Sequence, residues 1–383
     1  MLGLPHTQLT RDASVCAFTQ KAVKFVRMMQ AEGWPVVTYW GDRDEAGADE
    51  HVELFTTAEQ EGWYGTFDPN LLPSIATWNA TDAHWQTLNQ RAIAALAERL
   101  NPRDLILSLA GWAHKPVTDA FPVHLSCEWA AGYSGWCEPF VCFESSAWRH
   151  HQYGTRNLHD GRWYDTVIPN FFDPDEWTLP VRRGDHLVFV GRMVLRKGVQ
   201  VAADVARATG LPIVFAGSGV VSWTPNRIVC QDVEVVGEQM TYVGTVGGET
   251  RNRLMRDALA VLAPTTYIEP FGAVAVEAQL CGTPAITTDF GAFPETVEDG
   301  VTGFRMRTLG DGVDAVERAR DLHPQVIRQR ALARYSLDAV GPQYTRWFDQ
   351  LLGLWGDGWY TVKRREPRRG VRHHVREQLW RSR

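Results

Sequence analysis

The sequence lacks the cysteine spacings that mark a metal site or a set of cross-links. Its six cysteines, Cys16, Cys127, Cys137, Cys142, Cys230 and Cys281, include no C-x-x-C pair. Neither a zinc site nor a disulfide framework is expected, and a reducing cytoplasm is the compartment that fits. Also missing is any run of about 18 apolar residues, the length that crosses a bilayer as a helix. No transmembrane helix and no stable membrane insertion are expected. The opening MLGLPHTQLTRDAS has no basic flank leading into a long apolar stretch, so it does not read as a signal peptide. No repeat of short fixed period is visible. An excess of positive charge is absent too. The net charge of −6 excludes a general polyanion binder, taken over the whole molecule.

What is present fits a soluble globular protein of ordinary build. The 383 residues are too many for one typical core, so two domains are expected. Apolar residues at 44% and charged residues at 22% place the chain among globular proteins. Sixteen tryptophans are compatible with sugar stacking and equally with core packing. The segment 363–383 carries nine Lys/Arg against two Glu. It reads as a solvated or frayed terminal helix, or as a patch for nucleic acid or a membrane surface.

Along the chain, strands alternate with helices. Residues 16–33 place Phe18, Ala22, Phe25, Val26 and Met29 at helical spacing, and 35–40 read as the next strand. A helix over 82–100 and strands over 105–109 and 123–127 follow. The stretch 167–177 contains Pro169 and Pro174 in an acidic turn and reads as a linker. A second alternating set runs from the strand 187–192 through a helix 199–209, a strand 212–217, short strands near 233–236 and 242–246, and a helix 249–259. The strand AVLAPT, a helix after Phe271 and the strand PAITTD complete it. Alternation of this kind implies parallel sheets covered on both faces.

The chemistry is concentrated in IEPFGAVAVEAQLCGTPAITTDFGAFPETV, residues 268–297. Pro270 sets φ near a helix start, and Gly272 lets backbone approach a ligand closely. A helix over 273–280 would offer unpaired N–H groups at its first turn, where a diphosphate can sit. Glu269 lies just before that turn and Glu277 two turns in. One carboxylate can accept hydrogen bonds from sugar hydroxyls and the other from a ribose diol.

These motifs resemble those of a GT-B-fold retaining glycosyltransferase of the family 4 type. The resemblance rests on Glu269-Pro270-Phe271-Gly272, on Glu277 after seven intervening residues, on Gly282-Thr283-Pro284 and on Gly291 to Glu295. Upstream stands Gly191-Arg192-Met193-Val194-Leu195-Arg196-Lys197-Gly198. The match is strong over 187–297 and loose in the first half. It implies two Rossmann-like domains facing across a cleft, a nucleotide-diphosphate sugar as donor and a hydroxyl acceptor on a glycan, lipid or small molecule. It further implies that Arg192 and Lys197 neutralise the donor diphosphate, that Glu269 holds the donor sugar and that Glu277 holds the ribose. Gly191, Phe271, Gly272, Ala273 and Val274 complete the candidate donor site. Gly217, in Ala216-Gly217-Ser218-Gly219, either lines the nucleotide pocket or makes a tight turn after a strand. Gly244 to Gly248 lacks the dinucleotide fingerprint and reads as a turn. No Asp–x–Asp motif is evident, and transfer without a metal or other cofactor is expected.

In the first half the family places a catalytic-site His at the end of a strand that follows a Pro. Counted from Pro122, that position holds Glu128, with His124 four residues earlier. Glu128, beside Trp129 and Gly132, is expected to face the cleft. His124 is a candidate substrate ligand or an ordinary strand histidine. The family's Gly-rich N-terminal loop is replaced by His6-Thr7-Gln8-Leu9-Thr10-Arg11-Asp12. The adjacent His150 and His151 point in different directions on a helix, so a metal pair is not expected. The expected organisation is an acceptor-side domain over 1–178, a nucleotide-sugar domain over 179–334, a helix over 335–362 returning to the first domain, and a basic tail over 363–383. Glu269, Arg192, Lys197 and Glu128 are the catalytic candidates. Other readings remain: a GT-B-fold epimerase or phosphorylase sharing the nucleotide pocket, a transferase that glycosylates DNA bases with the basic tail on the polyanion, and a silent sugar-binding module.

Overall fold

The computed structural model describes residues 1–13, 16–66, 68 and 76–355. The basic tail 363–383, and the returning segment beyond residue 355, lie outside the described residues.

The first half runs α1 (Ala17–Ala31), β1 (Val37–Gly41), β2 (Glu50–Phe55), α2 (Thr57–Tyr64), α3 (Ala83–Arg99), β3 (Leu105–Ser108), α4 (Lys115–Asp119), β4 (Leu125–Ala131), β5 (Phe140–Phe143), α5 (Ser146–Thr155) and β6 (Thr166–Val167). The second runs β7 (Leu187–Val190), α6 (Val199–Thr209), β8 (Ile213–Ala216), β9 (Val220–Thr224), β10 (Arg227–Cys230), β11 (Glu234–Val236), β12 (Met240–Tyr242), α7 (Gly248–Arg256), β13 (Ala260–Ala263), α8 (Ala273–Leu280), β14 (Ala285–Thr288), α9 (Phe293–Thr296), β15 (Gly303–Met306), α10 (Leu309–Ala319) and α11 (Pro324–Tyr335). Last comes α12 (Leu337–Leu352).

Local chemistry explains the helix starts. Thr56 and Glu59 form a capping box at α2, and Thr308 and Asp311 form another at α10. Each satisfies amides that a helix leaves unpaired. On α1, Ala22, Phe25, Val26 and Met29 are buried, as their spacing predicts.

The two halves are wound the same way. In the second, the strand order in space is β12-β8-β7-β13-β14-β15, all parallel. The first strand of this set, β7, is central, and the chain steps outward one way before crossing back to step outward the other. In the first half, residues 1–4 take the central place. Leu2 bridges Tyr39 of β1 and donates its N–H to Leu107 of β3 at 2.9 Å. The pairs β1–β2 and β3-β4-β5-β6 thereby join into one parallel layer. Both halves have the doubly wound order, with one switch point each, and ligands bind outside the strands' carboxyl ends at such points. An antiparallel meander, β9-β10-β11, is inserted between β8 and β12.

The C-terminal helix crosses back to the first half, as expected. Val340, Tyr344, Trp347, Phe348 and Leu351 of α12 are buried in the same core as Phe25, Trp129 and Phe171. The expected strand at 242–246 ends at Tyr242, because Gly244 turns with φ +82 and the chain runs irregularly to α7. The stretch 167–177 is more than a tether. Phe171, Phe172 and Trp177 are buried, and Phe172 bonds the chain at Tyr335 through its N–H.

Candidate active site

The switch point of the second sheet lies between β7 and β13, which pair at Leu187–Ala260. The loops leaving their carboxyl ends are 191–198 and 264–272. These are the two motif segments singled out in the sequence, and the topology makes them neighbours. Nζ of Lys197 lies 2.7 Å from Oε2 of Glu269 across 72 residues of chain. Thr266 donates its N–H to the carbonyl of Arg196 at 2.8 Å, which stitches the loops together. Gly198 sits at φ +73, where a Cβ would overlap the Pro264 carbonyl. Tyr267 was missed by sequence reasoning, though it sits inside the motif loop. Its ring carries the Arg196 guanidinium at 5.2 Å and Lys197 Nζ at 5.0 Å. Burial, then the adjacent Glu269 carboxylate, hold its hydroxyl above the usual tyrosine range.

Gly272 is the N-cap of α8, in the left-handed region at φ +78. Pro270 therefore lies two residues outside the helix rather than in its first turn, and Gly272 makes the final bend. Ala273 and Val274 are only partly buried, so their amides remain approachable at the positive end of the helix. Phe271 departs from expectation. Its ring is 2% exposed and packs between Phe172 and Tyr335, so its side chain is core and only its backbone borders the site. On the next turns, Glu277 faces Arg251 of α7 at 3.4 Å. Arg251 carried no signal in the sequence, because only the packing of α7 on α8 brings it there.

Arg192 is exposed, and no side-chain bond engages its guanidinium among the described residues. The Gly191 N–H donates to Ala216 at 2.9 Å, and the Met193 N–H to Ser218 at 2.8 Å. Gly217 needs its φ of +146, since a Cβ would overlap the Gly191 carbonyl. Of the two readings, the tight turn is the one seen, although it leads into β9 and not into a helix. A cavity of about 300 Å³ opens beside Arg251 and takes in Arg11 and Gln20 from the first half.

The first-half candidates do not join this group. Glu128 lies within β4, fully buried. Its carboxylate accepts from the Tyr133 hydroxyl and from the amides of Cys137 and Glu138. Burial pushes its pKa up to about 7, against those hydrogen bonds. Its geometry is that of an anchor for the 132–138 loop and not of a cleft acid. His124 precedes β4, at the amino end of the parallel strands, and its ring rests against Phe121. That is the edge opposite the switch point. The 6–12 segment is fastened instead of glycine-rich. Trp40 Nε1 donates to Thr7 O at 2.6 Å, and Gln8 Nε2 donates to Gln60 Oε1 at 2.7 Å. Burial holds His6 down at about 4.

Sequence reasoning also passed over two Asp–x–Asp triplets away from the motifs. Asp42 accepts from Thr57 and Asp44 from the Ala46 amide, while Asp173 pairs with Arg27 at 2.6 Å and accepts from the Asp175 amide. Asp42, Asp44 and Asp173 are thus engaged by the start of α2, by local turn amides and by Arg27 of α1. His150 and His151 sit on α5, and His151 lies against Trp148. Among the described residues, no three His, Cys, Asp or Glu are grouped to hold a metal, and no helix is long and apolar enough to cross a membrane.

Comparison with known proteins agrees with this geometry. Residues 184–322 match the family described as Glycosyl transferases group 1. The chain is 29% identical over 226 residues to D-inositol 3-phosphate glycosyltransferase of Mycolicibacterium smegmatis, covering 57% of this chain and 51% of that one. The counterpart in Mycobacterium sp. strain KMS is 32% identical over 152 residues, 38% of this chain and 34% of its own. The chain thus spans about half, or less, of the length of these curated relatives. Among solved structures, sucrose-phosphate synthase from Thermosynechococcus elongatus superposes with a TM-score of 0.64 at 17% identity, over 92% of this chain and 98% of that one. Anabaena Alr3699/HepE, solved in complex with UDP-glucose, gives 0.58 at 16% identity, over 90% and 98%. These likenesses establish the fold, and the matched segment contains the site. Residues 184–322 thus resemble the glycosyl transferases group 1 family, and the chain has the GT-B fold of these solved structures.

Proposed function

We propose that the chain moves a sugar from a nucleotide-diphosphate sugar to a hydroxyl acceptor, with retention of anomeric configuration and without a metal. The observation that carries this reading is the meeting of Lys197, Glu269 and the amino end of α8 at one switch point. As the glycosidic bond to the leaving diphosphate breaks, negative charge grows on the phosphate oxygens. Lys197, the unpaired Arg192 and the amides of Ala273 and Val274 are donors prearranged for that charge. Glu269 is assigned to the donor-sugar hydroxyls, and Glu277 to the ribose. Retention and metal independence belong to the same reading. The cationic loop and helix terminus supply charge stabilisation that a divalent ion supplies elsewhere. The names of the relatives, a glycosyltransferase and a protein solved with UDP-glucose, support a nucleotide-sugar donor.

The test is a screen of nucleotide sugars by thermal shift, since a ligand bound only by the native state raises its stability. Product analysis by NMR, with and without hydroxyl acceptors, follows. Transfer giving the same anomeric configuration as the donor, undiminished by a chelator, is the expected result. Isomerised donor formed without acceptor would favour an epimerase instead. Activity lost to a chelator and restored by manganese would remove the metal-free mechanism.

A further inference from the structure

The Gly291–Glu295 element has no role in the reading above, yet its carboxylate reaches across to the other half of the molecule. Oε2 of Glu295 accepts the Ser146 amide at 2.9 Å, and Oε1 accepts the Ala147 amide at 2.8 Å. These are the opening amides of α5, which no helix can pair internally. They sit at its positive end, where a carboxylate forms charge-assisted bonds. Ser145 already caps this helix, accepting from the Trp148 amide at 3.0 Å. Its hydroxyl in turn donates to the Pro270 carbonyl at 2.6 Å. Three consecutive residues of the first half are therefore bonded to Pro270, the neighbour of Glu269, and to Glu295.

The Glu269 backbone is held from the same direction. Its carbonyl accepts the Ala292 amide at 3.0 Å. Its nitrogen lies 2.7 Å from where a Cβ on Gly291 would stand, and Gly291 is left-handed at φ +64. The Glu295 carbonyl is fixed by the Tyr335 hydroxyl at 3.3 Å and by Arg334 at 2.6 Å. α5 follows β5, and Glu269 follows β13. The carboxyl ends of the two sheets meet at this contact.

We propose that Glu295 is a positioning residue, a latch that holds α5 against the donor loop and so sets where Glu269 stands when the halves are together. A local cap would not account for it, because Ser145 serves that purpose and Glu295 belongs to the opposite half. The catalytic consequence rests on the transferase reading, whereas the latch itself does not.

The test uses the full chain with Glu295→Ala, Glu295→Gln, Ser145→Ala and the Glu295→Ala/Ser145→Ala double variant. Small-angle X-ray scattering reads the relative placement of the halves without reference to activity. Glu295→Ala is expected to enlarge the radius of gyration. Glu295→Gln keeps one acceptor oxygen and recovers part of the compact profile, and Ser145→Ala adds little to Glu295→Ala because the two share one contact. With a donor in hand, Glu295→Ala lowers kcat about tenfold or more, with donor KM and nucleoside diphosphate affinity within about twofold of the parent. An unchanged scattering profile in Glu295→Ala overturns the latch. So does a loss of kcat matched by an equal loss of nucleotide affinity. Should Glu295→Ala fail to fold, Glu295→Gln and Ser145→Ala give the same scattering comparison. If the parent turns over no nucleotide sugar, the transferase reading fails while the scattering result still decides the latch.

Discussion

Nζ of Lys197 and Oε2 of Glu269 stand 2.7 Å apart, so the cation assigned to phosphate and the carboxylate assigned to sugar engage each other directly. A diphosphate bound at Lys197 would compete with Glu269 for the same ammonium. Glu269→Ala is therefore expected to lower kcat by roughly 10²-fold through lost sugar positioning. Affinity for a bare nucleoside diphosphate should hold or tighten, because Lys197 is released. Lys197→Met should weaken that affinity by about tenfold to a hundredfold, the worth of one charged hydrogen bond. Titration calorimetry and turnover on both variants check this. Near-normal turnover in Glu269→Ala, together with a fallen melting temperature, would mean that Glu269 only stabilises the start of α8.

Glu277 divides binding from chemistry in the opposite sense. It lies two turns into α8 beside Arg251 and is assigned to a group remote from the breaking bond. Glu277→Ala should raise donor KM with little change in kcat. Arg251→Ala, which frees the carboxylate without removing it, should disturb KM less. Steady-state kinetics with varied donor separate the two. A collapse of kcat in Glu277→Ala at saturating donor would contradict the ribose assignment.

The bend at Gly272 admits a stability test. Its φ is +78, and a Cβ would overlap the Phe293 ring. Gly272→Ala combines left-handed strain with a steric clash, which together cost about 1–3 kcal/mol or more. Denaturant unfolding measures the loss. The variant should also lose affinity for the nucleoside diphosphate, because the bend aims the first amides of α8. A variant as stable as the parent would show that the loop relaxes without the positive φ.

Glu128 predicts a pH dependence of stability unrelated to catalysis. Burial pushes its carboxyl up to about 7 from an ordinary 4.5. Between those values the folded protein holds a proton that the unfolded chain has released, so stability falls as pH rises through this window. The contribution is full below about 4.5 and is lost as pH passes about 7. Glu128→Gln keeps an acceptor for the Cys137 and Glu138 amides and offers an N–H to the Tyr133 oxygen, with nothing to titrate. Its melting temperature should match the parent near pH 5 and exceed it by several degrees near pH 8. A difference that does not widen between those pH values would show that Glu128 is charged in the fold.

Much of the second half was legible because its signals are local. Gly191, Gly198 and Gly272 mark left-handed or crowded backbone, and runs such as LVFV and AVLA mark strands buried on both faces. The loops they punctuate fall at carboxyl ends, where doubly wound sheets bind ligands. The first half was legible as a fold but not as a site. Its central strand, residues 1–4, is too short to announce itself and is held by pairing with Tyr39 and Leu107. Counting from Pro122 led to Glu128 because position along a strand does not reveal depth. Burial removed it from the cleft. Phe271 misled in the same way: a residue inside a functional motif can serve the motif by packing. Arg251 and Ser145 were invisible because their partners lie 26 and 125 positions away in sequence.

The return of α12 bears on how the polypeptide is assembled as it is made. Val340, Tyr344, Trp347, Phe348 and Leu351 belong to the core of the half that is synthesised first. At about 5–20 residues per second, that core waits on the order of tens of seconds for its final side chains. In the interval the faces of Phe25 and Phe171 that α12 covers stay exposed to solvent and to chaperones. The second half, whose buried clusters draw nothing from α12, is free to close before the first. The half that is made first can thus be completed only after the last helix has been made.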